Sequence, residues 1–415
     1  MAVYSTRYTR TPLPAFSDIP LHAQLQKALA ALDFTEPTPV QAKAIPAILD
    51  GNDVMVSSQT GSGKTAAFIV PLLNKLLSLG QTNTATLGLI LLPTRELALQ
   101  TQTVFKQLAT YTPIKSGVII GGEAYKHQVA TLRKNPEVLI ATPGRLVEHI
   151  EKGNTDFSDL AMLVLDEADR MLDMGFAEDM HTIASACRNE RQNLLFSATL
   201  KHRGLEKITP ILKAPVRLTI DQRGEAHSQI TQYRVLADDD KHKEQLTAAL
   251  ITEFQAKKVM VFCNTRKQCQ ELSNTLRYKT FKSDFIHGEM SQSDRKQVLN
   301  RFRDGKLRIL VATDLTARGL DIKDIDLVIN FSMAHSGDDH IHRVGRTGRA
   351  EQSGTAITLI SANEWNLMSS VERYLNFRFE ARSVQGLKAN YKGPKKLKNS
   401  GKVVGKKKKK GSKKH

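Results

Sequence analysis

A glycine-rich segment between a predicted strand and a predicted helix has the composition of a phosphate-binding loop. Glycines let backbone N–H groups close around phosphate oxygens, and a helix N-terminus adds a positive dipole. Lys64 would reach the terminal phosphates of a nucleotide, and the Thr65 hydroxyl would be a ligand of Mg²⁺. Such loops generally have Gly where this chain has Ser58, so a glycine-rich turn before a structural helix is the alternative at this point. The candidate phosphate-binding residues are Ser58, Gln59, Thr60, Gly61, Ser62, Gly63, Lys64 and Thr65.

Two carboxylates at the end of an apolar run, Asp166 and Glu167, predict hydrolytic chemistry. The run MLVLD has the pattern of a buried strand, and ligands of parallel sheets bind at the carboxyl ends of strands. Asp166 is suited to hold Mg²⁺, partly through water, and Glu167 to orient or deprotonate an attacking water. Carboxylates after a strand are also common helix N-caps. Together with the phosphate loop, however, they predict hydrolysis of a nucleoside triphosphate.

An arginine-rich segment, HRVGRTGR (342–349), could complete such a site. Arg346 and Arg349 are three residues apart, so on one helical turn both would face the same anion. An Arg that meets developing phosphate charge accelerates phosphoryl transfer by about 10³–10⁵ where measured. If this segment and the phosphate loop lie on different domains, a bound nucleotide would join the domains and its hydrolysis would release them. A basic surface helix or a contact to a phosphate backbone is the alternative.

Apolar runs separated by helical patterns predict two parallel sheets that are covered by helices on both faces. The runs of the first series are DVMVSS (53–58), LGLILLP (87–93), GVII (117–120), VLIAT (138–142), MLVLDEA (162–168) and NLLFSAT (193–199). The runs of the second series are ITQYRVL (230–236), KVMVFCNT (258–265), DFIHGEM (284–290), RILVATD (308–314), LVINFS (327–332) and TAITLI (355–360).

These series predict two α/β domains, at residues 45–220 and 229–382. The polar stretch 221–228 (DQRGEAHS) between them is the natural linker. A segment at residues 1–44 precedes the first domain, and a Lys-rich tail at residues 383–415 follows the second.

The charge of the chain is concentrated at its C-terminus. The 415 residues include 60 Lys and Arg against 42 Asp and Glu, which gives a formal net charge of +18. Residues 383–415 contain 13 Lys and no acidic residue, and their low apolar content predicts disorder. Binding to a polyanion is favoured, because flexible lysines release counterions from phosphates. A solubilising tail is one alternative, and an acidic membrane surface is a weaker one.

The remaining composition argues against several classes of protein. No apolar run approaches the ~20 residues that span a bilayer, and the N-terminus lacks the apolar stretch of a signal peptide. Three cysteines without a CxxC pair favour neither a disulfide framework nor a zinc site. His340 and His342 lack a third ligand in any metal-binding pattern. We therefore expect a reducing, cytoplasmic setting.

Seven motifs, in this order and at this spacing, resemble those of the DEAD-box RNA helicases. They are SQTGSGKT (58–65), PTRELA (93–98), TPGR (142–145), DEAD (166–169), SAT (197–199), ATDLTARGLDI (312–322) and HRVGRTGR (342–349). The resemblance covers about residues 16–360 and implies two tandem RecA-like domains, ATP and Mg²⁺ as cofactors, and RNA-dependent ATPase activity. The family has Ser or Ala at the position of Ser58. The stretch LVLDEADRMLDMGF and the basic tail resemble the bacterial ribosome-assembly helicases of the SrmB type.

The segment FTEPTPVQ (34–41) resembles the motif by which this family reads adenine. The resemblance implies that Gln41 contacts the base, since a Gln amide donates and accepts hydrogen bonds at once. It also implies that Phe16 is the upstream aromatic that stacks there, with a core aromatic as the alternative. The family usually has Gly where this chain has Asp33.

Further roles follow from the same resemblance. Ser197 and Thr199 would couple the nucleotide state to domain closure, Asp314 would position the arginine fingers, and Asp321 would contact the ribose. The implied RNA contacts are to phosphate and 2′-OH groups, so they favour RNA over DNA with little reading of sequence. These residues are Arg95, Gly122, Thr142, Arg145, Arg295 and Thr313.

The leading hypothesis is an ATP-dependent RNA helicase that separates short duplexes by local strand bending. The resemblance to the SrmB type adds ribosome assembly as the setting, structured or ribosomal RNA as the target, ribosomal or other ribonucleoprotein proteins as partners, and a monomeric state. An ATP-gated RNA clamp or scaffold and a tail-driven RNA annealer are the alternatives. The same motifs would serve the helicase and the clamp.

Overall fold

The protein, described by a computed structural model, divides into two compact units, Met1–Gln222 and Arg223–His415. This division lies inside the predicted linker 221–228. The residues that the structure describes are 15–58, 62–80, 85–200, 202, 204–220, 230–317, 322, 325–348 and 354–394. The predicted site residues outside these ranges are Gln59, Thr60, Gly61, Asp321 and Arg349.

The first unit is built on seven parallel strands in the order β3-β4-β2-β5-β6-β1-β7. The strands are β1 (Val54–Ser57), β2 (Gly88–Leu91), β3 (Ser116–Ile119), β4 (Val138–Ala141), β5 (Met162–Leu165), β6 (Gln192–Ser197) and β7 (Val216–Thr219). Along β1, Val54 and Val56 belong to the core on one face of the sheet, and Met55 belongs to the core on the other. Both faces are therefore covered, as the continuous apolar runs predict.

Helices connect these strands and pack on both faces of the sheet. Thr94 caps one of them, because its hydroxyl accepts the N–H of Leu97 at 3.4 Å, and Gly80 ends another at a left-handed φ of 65°. The helices are α1 (Ala23–Ala31), α2 (Pro39–Leu49), α3 (Lys64–Leu79), α4 (Arg95–Leu108), α5 (Tyr125–Leu132), α6 (Pro143–Glu151), α7 (Ala168–Asp173), α8 (Ala177–Ala186) and α9 (Leu205–Ile208).

The second unit repeats the topology of the first. Its parallel strands lie in the order β10-β11-β9-β12-β13-β8-β14, which is the same order when each sheet is counted from its own first strand. The strands are β8 (Ile230–Leu236), β9 (Val259–Phe262), β10 (Ser283–Ile286), β11 (Ile309–Ala312), β12 (Leu327–Asn330), β13 (Gly354–Ile360) and β14 (Glu380–Arg382). The helices are α10 (Asp240–Glu253), α11 (Arg266–Tyr278), α12 (Gln292–Arg303), α13 (Asp314–Ala317), α14 (Gly337–Val344) and α15 (Trp365–Leu375). Two parallel sheets covered by helices confirm the predicted fold class.

Residues 383–394, predicted as the start of the tail, pack on the second unit instead. Val384 is buried in its core, and the Tyr391 ring meets the Trp365 ring edge-on, with centroids 6.5 Å apart. The Asp238 carboxylate accepts the N–H groups of Asn390 and Tyr391 at 3.0 and 2.8 Å. A few apolar anchors and one carboxylate therefore order a segment whose composition alone predicts disorder. Residues 395–415 lie outside the described ranges.

Candidate functional site

The described part of the phosphate loop is folded onto the helix that follows it. Gly63 caps α3 at a left-handed φ of 93°, and Lys64 is the first residue of the helix. Lys64 is buried, and its Nζ donates to the carbonyl of Ser58 at 2.7 Å. The hydroxyls of Ser58 and Ser62 lie 2.9 Å apart. Thr65, in the first turn of α3, is half-buried. The structure therefore brings together the predicted phosphate-binding residues that it describes.

Gln41 braces this loop from α2. Its Nε2 donates to the carbonyl of Gly63 at 3.1 Å, and its Oε1 accepts the N–H of Thr38 at 2.9 Å. A Cβ at position 63 would lie 2.6 Å from Gln41 Nε2, so this contact requires glycine there for space as well as for φ. The amide therefore lies next to the phosphate loop, and its contacts fix where it points.

The structure differs from the sequence-based expectation for Phe16. The Phe16 ring is 2% exposed and packs edge-on against Phe34, with ring centroids 5.8 Å apart. A ring so buried offers no face for stacking on a base, so in this structure Phe16 is a core aromatic. Asp33, which stands where the family usually has Gly, has φ 56°. The left-handed turn is therefore kept without glycine, which Asp tolerates better than most residues do.

Asp166 and Glu167 follow β5 at the carboxyl edge of the first sheet. Burial raises the pKa of the Asp166 carboxyl to about 7, and the opposing charge of Lys64 only partly offsets this. Glu167 has left-handed backbone angles, φ 50° and ψ 48°, and its N–H donates to Asp166 Oδ1 at 2.9 Å. Its Oε2 accepts from Nη1 of the buried Arg170 at 3.0 Å. The two carboxylates are thus adjacent, and Glu167 is held by an ion pair.

The predicted coupling residues Ser197 and Thr199 form a compact turn after β6. The Ser197 hydroxyl donates to the carbonyl of Thr199 at 2.7 Å and accepts the N–H of Thr199 at 3.2 Å. Both residues are buried. These two hydrogen bonds hold the turn in one conformation.

The turn at residues 197–199 joins the phosphate loop to the DEAD segment. The Ser58 N–H donates to the carbonyl of Ser197 at 3.1 Å, and the Ser57 hydroxyl donates to the carbonyl of Ala198 at 3.2 Å. From the other side, Asp169 Oδ2 accepts the N–H of Ala198 at 3.2 Å. Both segments therefore form hydrogen bonds to the same turn.

Four predicted RNA contacts also converge at the carboxyl edge of the first sheet. A Cβ at Gly122, where φ is 73°, would overlap Nη1 of Arg95, so glycine permits this close packing. The Thr142 hydroxyl accepts the N–H of Gly121 at 3.4 Å. Nη1 of Arg145 donates to the carbonyl of Glu123 at 3.0 Å, so it contacts the same loop.

In the second unit, Arg295 and Thr313 meet through a shared neighbour. Nη2 of Arg295 donates to the carbonyl of Thr316 at 2.9 Å, and the hydroxyls of Thr313 and Thr316 lie 3.0 Å apart. Both predicted RNA contacts therefore lie close together at the carboxyl end of β11.

Asp314 holds a buried arginine, Arg343, at the end of α14. The carboxylate accepts from Nε and Nη2 of Arg343 at 2.6 and 2.7 Å. Arg343 also donates to the carbonyl of Ser332 at 2.6 Å and to Oδ1 of Asn264 at 2.7 Å. The first Arg of HRVGRTGR is therefore structural, and it fixes the end of the helix three residues before Arg346.

Arg346 does not lie on a helix, and Arg349, which was expected to share a helical turn with it, lies outside the described residues. Helix α14 ends at Val344 with Gly345 as its C-cap, so the buried Arg346 lies in the turn that follows. Glycines at positions 345 and 348 favour this early end, and Gly348 has a left-handed φ of 66°.

Arg170 and Arg343 are site residues that the sequence analysis missed. The spacing Glu167–Arg170 is a signal for an ion pair on one helical turn, but it does not say that the pair is buried. No local spacing links Arg343 to Asp314, which is 29 residues away.

The described residues contain neither a cluster of metal-binding side chains nor a membrane-spanning helix. No group of three or more His, Cys, Asp or Glu side chains is arranged to hold a metal ion there, and His340 instead bonds Gln232, with Nε2 and Oε1 2.8 Å apart. In the same part of the chain, no helix has the length and apolar character to cross a membrane.

Comparison with protein families gives two matches that together cover most of the chain. The DEAD/DEAH box helicase family matches residues 38–208, and the Helicase conserved C-terminal domain matches residues 241–351.

Individual relatives and a solved structure support the same family. The ATP-dependent RNA helicase SrmB of Escherichia coli (strain K12) is 40% identical over 381 residues, which are 91% of this chain and 86% of that protein. The ATP-dependent rRNA helicase RRP3 of Pyricularia oryzae is 40% identical over 365 residues, which are 88% of this chain and 67% of that protein. The solved structure of S. cerevisiae Dbp5 bound to RNA and ADP BeF3 is similar with a TM-score of 0.79 and 26% identity, covering 89% of this chain and 95% of that chain. The chain therefore belongs to the DEAD-box family and is an RNA-dependent ATPase and ATP-dependent RNA helicase.

Proposed function

We propose that the first unit hydrolyses ATP with Lys64, Asp166 and Glu167 as its catalytic residues, within an ATP-binding domain at residues 45–220. The observation that carries this proposal is the convergence of the phosphate loop and the DEAD segment on the turn at residues 197–199. Turnover of ATP can then change the geometry of that turn.

Each of these side chains has a distinct task in the proposed reaction. Lys64 exchanges its bond to Ser58 for contacts to the terminal phosphate oxygens, and Glu167 orients or deprotonates the attacking water. Asp166 and Thr65 would hold Mg²⁺, partly through water, and the ion would neutralise phosphate charge. Asp166 fits this role, because burial penalises its ionised form and a divalent cation would stabilise that form.

The second domain, at residues 229–382, would supply Arg346 and Arg349 as arginine fingers. Asp314 acts as a positioning residue in this proposal, since it anchors the end of α14 through Arg343. Asp321 would contact the ribose. Ser197 and Thr199 would relay the nucleotide state from the first domain.

We further propose ribosomal RNA as the physiological target, with ribosomal or ribonucleoprotein proteins as partners. The support is the similarity to SrmB and to an rRNA helicase, both at 40% identity. We also propose that the protein is a monomer and that it is located in the cytoplasm. Its three cysteines are buried and not in disulfides, which agrees with a reducing compartment. Sequencing the RNA crosslinked to the protein in cells tests the proposed target: enrichment of ribosomal RNA supports the target, and its absence contradicts it.

The adenine-reading role of Gln41 gives a testable prediction. Gln41→Ala should weaken binding of ATP more than binding of an adenine-free triphosphate, by about 1–3 kcal/mol, if the amide makes a bidentate pair with the base. Because Gln41 also braces Gly63, we expect some weakening for every nucleotide. The measurement is the affinity of both proteins for ATP and for GTP.

Thr38→Ala is the matched control for this substitution. The Thr38 side chain lies beside Gly63, where a Cβ would be 2.9 Å from its hydroxyl, but it does not offer an amide to the base. It should affect ATP and GTP equally. Equal effects of Gln41→Ala on the two nucleotides would mean that Gln41 is structural and that the base is read elsewhere.

The Lys-rich segment at residues 395–415 should contribute to RNA affinity but not to catalysis. Its deletion removes 11 Lys and spares the docked residues 383–394. If about half of these lysines meet phosphates of a single strand, the log–log salt dependence of RNA affinity should flatten by about 4 units, at ~0.7 per phosphate. The ATPase rate at saturating RNA should stay nearly unchanged. A salt series of RNA affinities for both proteins makes the measurement.

Deleting residues 383–415 instead provides the contrast, because it also removes Val384 and Tyr391 from their packing. We expect this longer deletion to lower the stability of the second unit. An unchanged salt slope after the shorter deletion would leave the segment as a solubility or protein-docking element.

A further inference from the structure

The amino edge of the second sheet carries a row of cationic residues. Lys282, Arg308 and Lys258 immediately precede the neighbouring strands β10, β11 and β9, and the strand register aligns them side by side. Adjacent strands are about 4.8 Å apart, so the backbone positions of these three residues are about that far from one another along the row. The predicted RNA contact Thr313 lies at the opposite, carboxyl edge of the same sheet.

A groove of about 740 Å³ opens at the part of this row that Lys282 and Arg308 form. Its lining includes Lys257, Lys282 and Arg308 and no carboxylate. Lys257 and Lys282 are exposed. The nearby Asp326 does not line the groove, and its Oδ2 accepts the backbone N–H groups of Lys257 and Lys258 at 2.7 and 2.8 Å. The groove is therefore positive and suited to an anion.

The central cation of the row is held in place before any ligand binds. Nε of Arg308 donates to the carbonyl of Ala256 at 2.7 Å, and Nη2 donates to the carbonyl of Ile251 at 3.1 Å. The guanidinium also lies over the ring of Phe281, 5.8 Å from its centroid. A fixed guanidinium loses little conformational entropy when it meets a phosphate.

The first unit shows that the fold does not require this row. In its equivalent strands β3, β4 and β2, the preceding residues are Lys115, Glu137 and Leu87. Glu137, at the position equivalent to Arg308, accepts the N–H of Lys115 at 2.8 Å. The same topology is thus built with a carboxylate at the centre of the row, so the three cations of the second unit are a property of that unit alone.

An exposed aromatic residue lies next to the groove in the chain. Tyr278, the last residue of α11, is 91% exposed and stands two residues before Thr280, which lines the groove. A positively charged groove together with an accessible aromatic ring is the combination by which proteins bind single-stranded nucleic acid without sequence preference.

We propose that this amino-edge groove is a second RNA-binding surface, which holds the phosphate backbone of RNA that extends beyond the contacts at the carboxyl edge. Lys257, Lys282 and Arg308 contact phosphates, and Tyr278 offers a stacking surface for a base. Because these contacts do not read base edges, the affinity of this surface for RNA should not depend on RNA sequence.

The double substitution Lys257→Glu and Lys282→Glu tests this surface in the full chain. Both side chains are exposed, so the fold should persist. At about 0.1 M salt, we expect affinity for an RNA of about 30 nucleotides to fall about tenfold or more, and the log–log salt slope to flatten by about 1.4 units, for two phosphates at ~0.7 each. An RNA of about 8 nucleotides, which fills one site, should bind as before. The ATPase rate at saturating short RNA should also be unchanged.

Lys134→Glu with Lys207→Glu is the matched control, since it makes the same change in net charge with exposed lysines of the first unit. Tyr278→Ala should weaken long RNA about fivefold or more, as expected for the loss of one stacked base. Unchanged affinity for long RNA in the groove variant would overturn the proposal and would favour an acidic protein as the occupant. Equal weakening by the groove variant and the control would also overturn it, because the effect would then be one of overall charge.

Discussion

Replacing Glu167 with Gln should lower ATP hydrolysis by at least about 10²-fold, the loss typical of removing a general base. The substitution keeps the shape of the side chain but removes the charge that prepares the water. Asp166, which would hold Mg²⁺, is untouched. RNA binding in the presence of ATP should therefore persist or tighten, because the closed complex forms but is not released by hydrolysis. ATP turnover and RNA affinity with ATP are the two measurements.

The ion pair with Arg170 makes the position of Glu167 sensitive to its neighbour, so a control is needed. Glu190→Gln removes a carboxylate that is paired with Arg188 on the surface, and it should leave turnover unchanged. If Glu167→Gln hydrolyses ATP at the parent rate, the role assigned to Glu167 is wrong.

Replacing Arg343 with Gln should destabilise the second unit by about 3–5 kcal/mol, because it leaves the Asp314 carboxylate without its buried partner. The guanidinium makes four hydrogen bonds of 2.6–2.7 Å, and Gln cannot reproduce their geometry. Chemical denaturation of the full chain, followed by a probe in the second unit, measures the loss. The end of α14 should also lose its anchor, so ATP turnover should fall.

Arg301→Gln is the control in the same unit. Arg301 pairs with Asp284 at 3.0 Å on the surface, where an ion pair contributes about 0–1 kcal/mol. A loss below about 1 kcal/mol for Arg343→Gln would contradict the view that this arginine organises the end of α14.

The central strands of both sheets could be predicted because they are buried on both faces and read as continuous apolar runs. The edge strands β3 and β10 lie in predicted runs, but the other two edge strands, β7 (VRLT) and β14 (EAR), were missed. Each pairs on one side only and is largely exposed, so its sequence carries charge and lacks an apolar run.

Residues of the candidate site could be predicted from the sequence where they belong to a recognisable motif. They were predicted less well where tertiary packing determines whether a side chain is exposed, buried or paired. Phe16 illustrates the limit, since sequence spacing suggested a base-stacking ring and tertiary packing buried it. Gly345 ends α14 before Arg346, although the spacing of the arginines suggested a shared turn. The pair of Arg343 with Asp314 depends on bringing distant segments together, which no local pattern encodes.

The most direct measurement of the central claim is displacement of a strand from a short RNA duplex, followed together with RNA-stimulated ATP turnover in the same reaction. We expect strand displacement only when ATP is present, stimulation of turnover by RNA, and a loss of turnover of at least about 10²-fold in Glu167→Gln. Matched DNA should stimulate turnover less, because the predicted contacts include 2′-OH groups. Turnover stimulated by RNA without any displacement would contradict unwinding as the main activity and would favour an ATP-gated clamp.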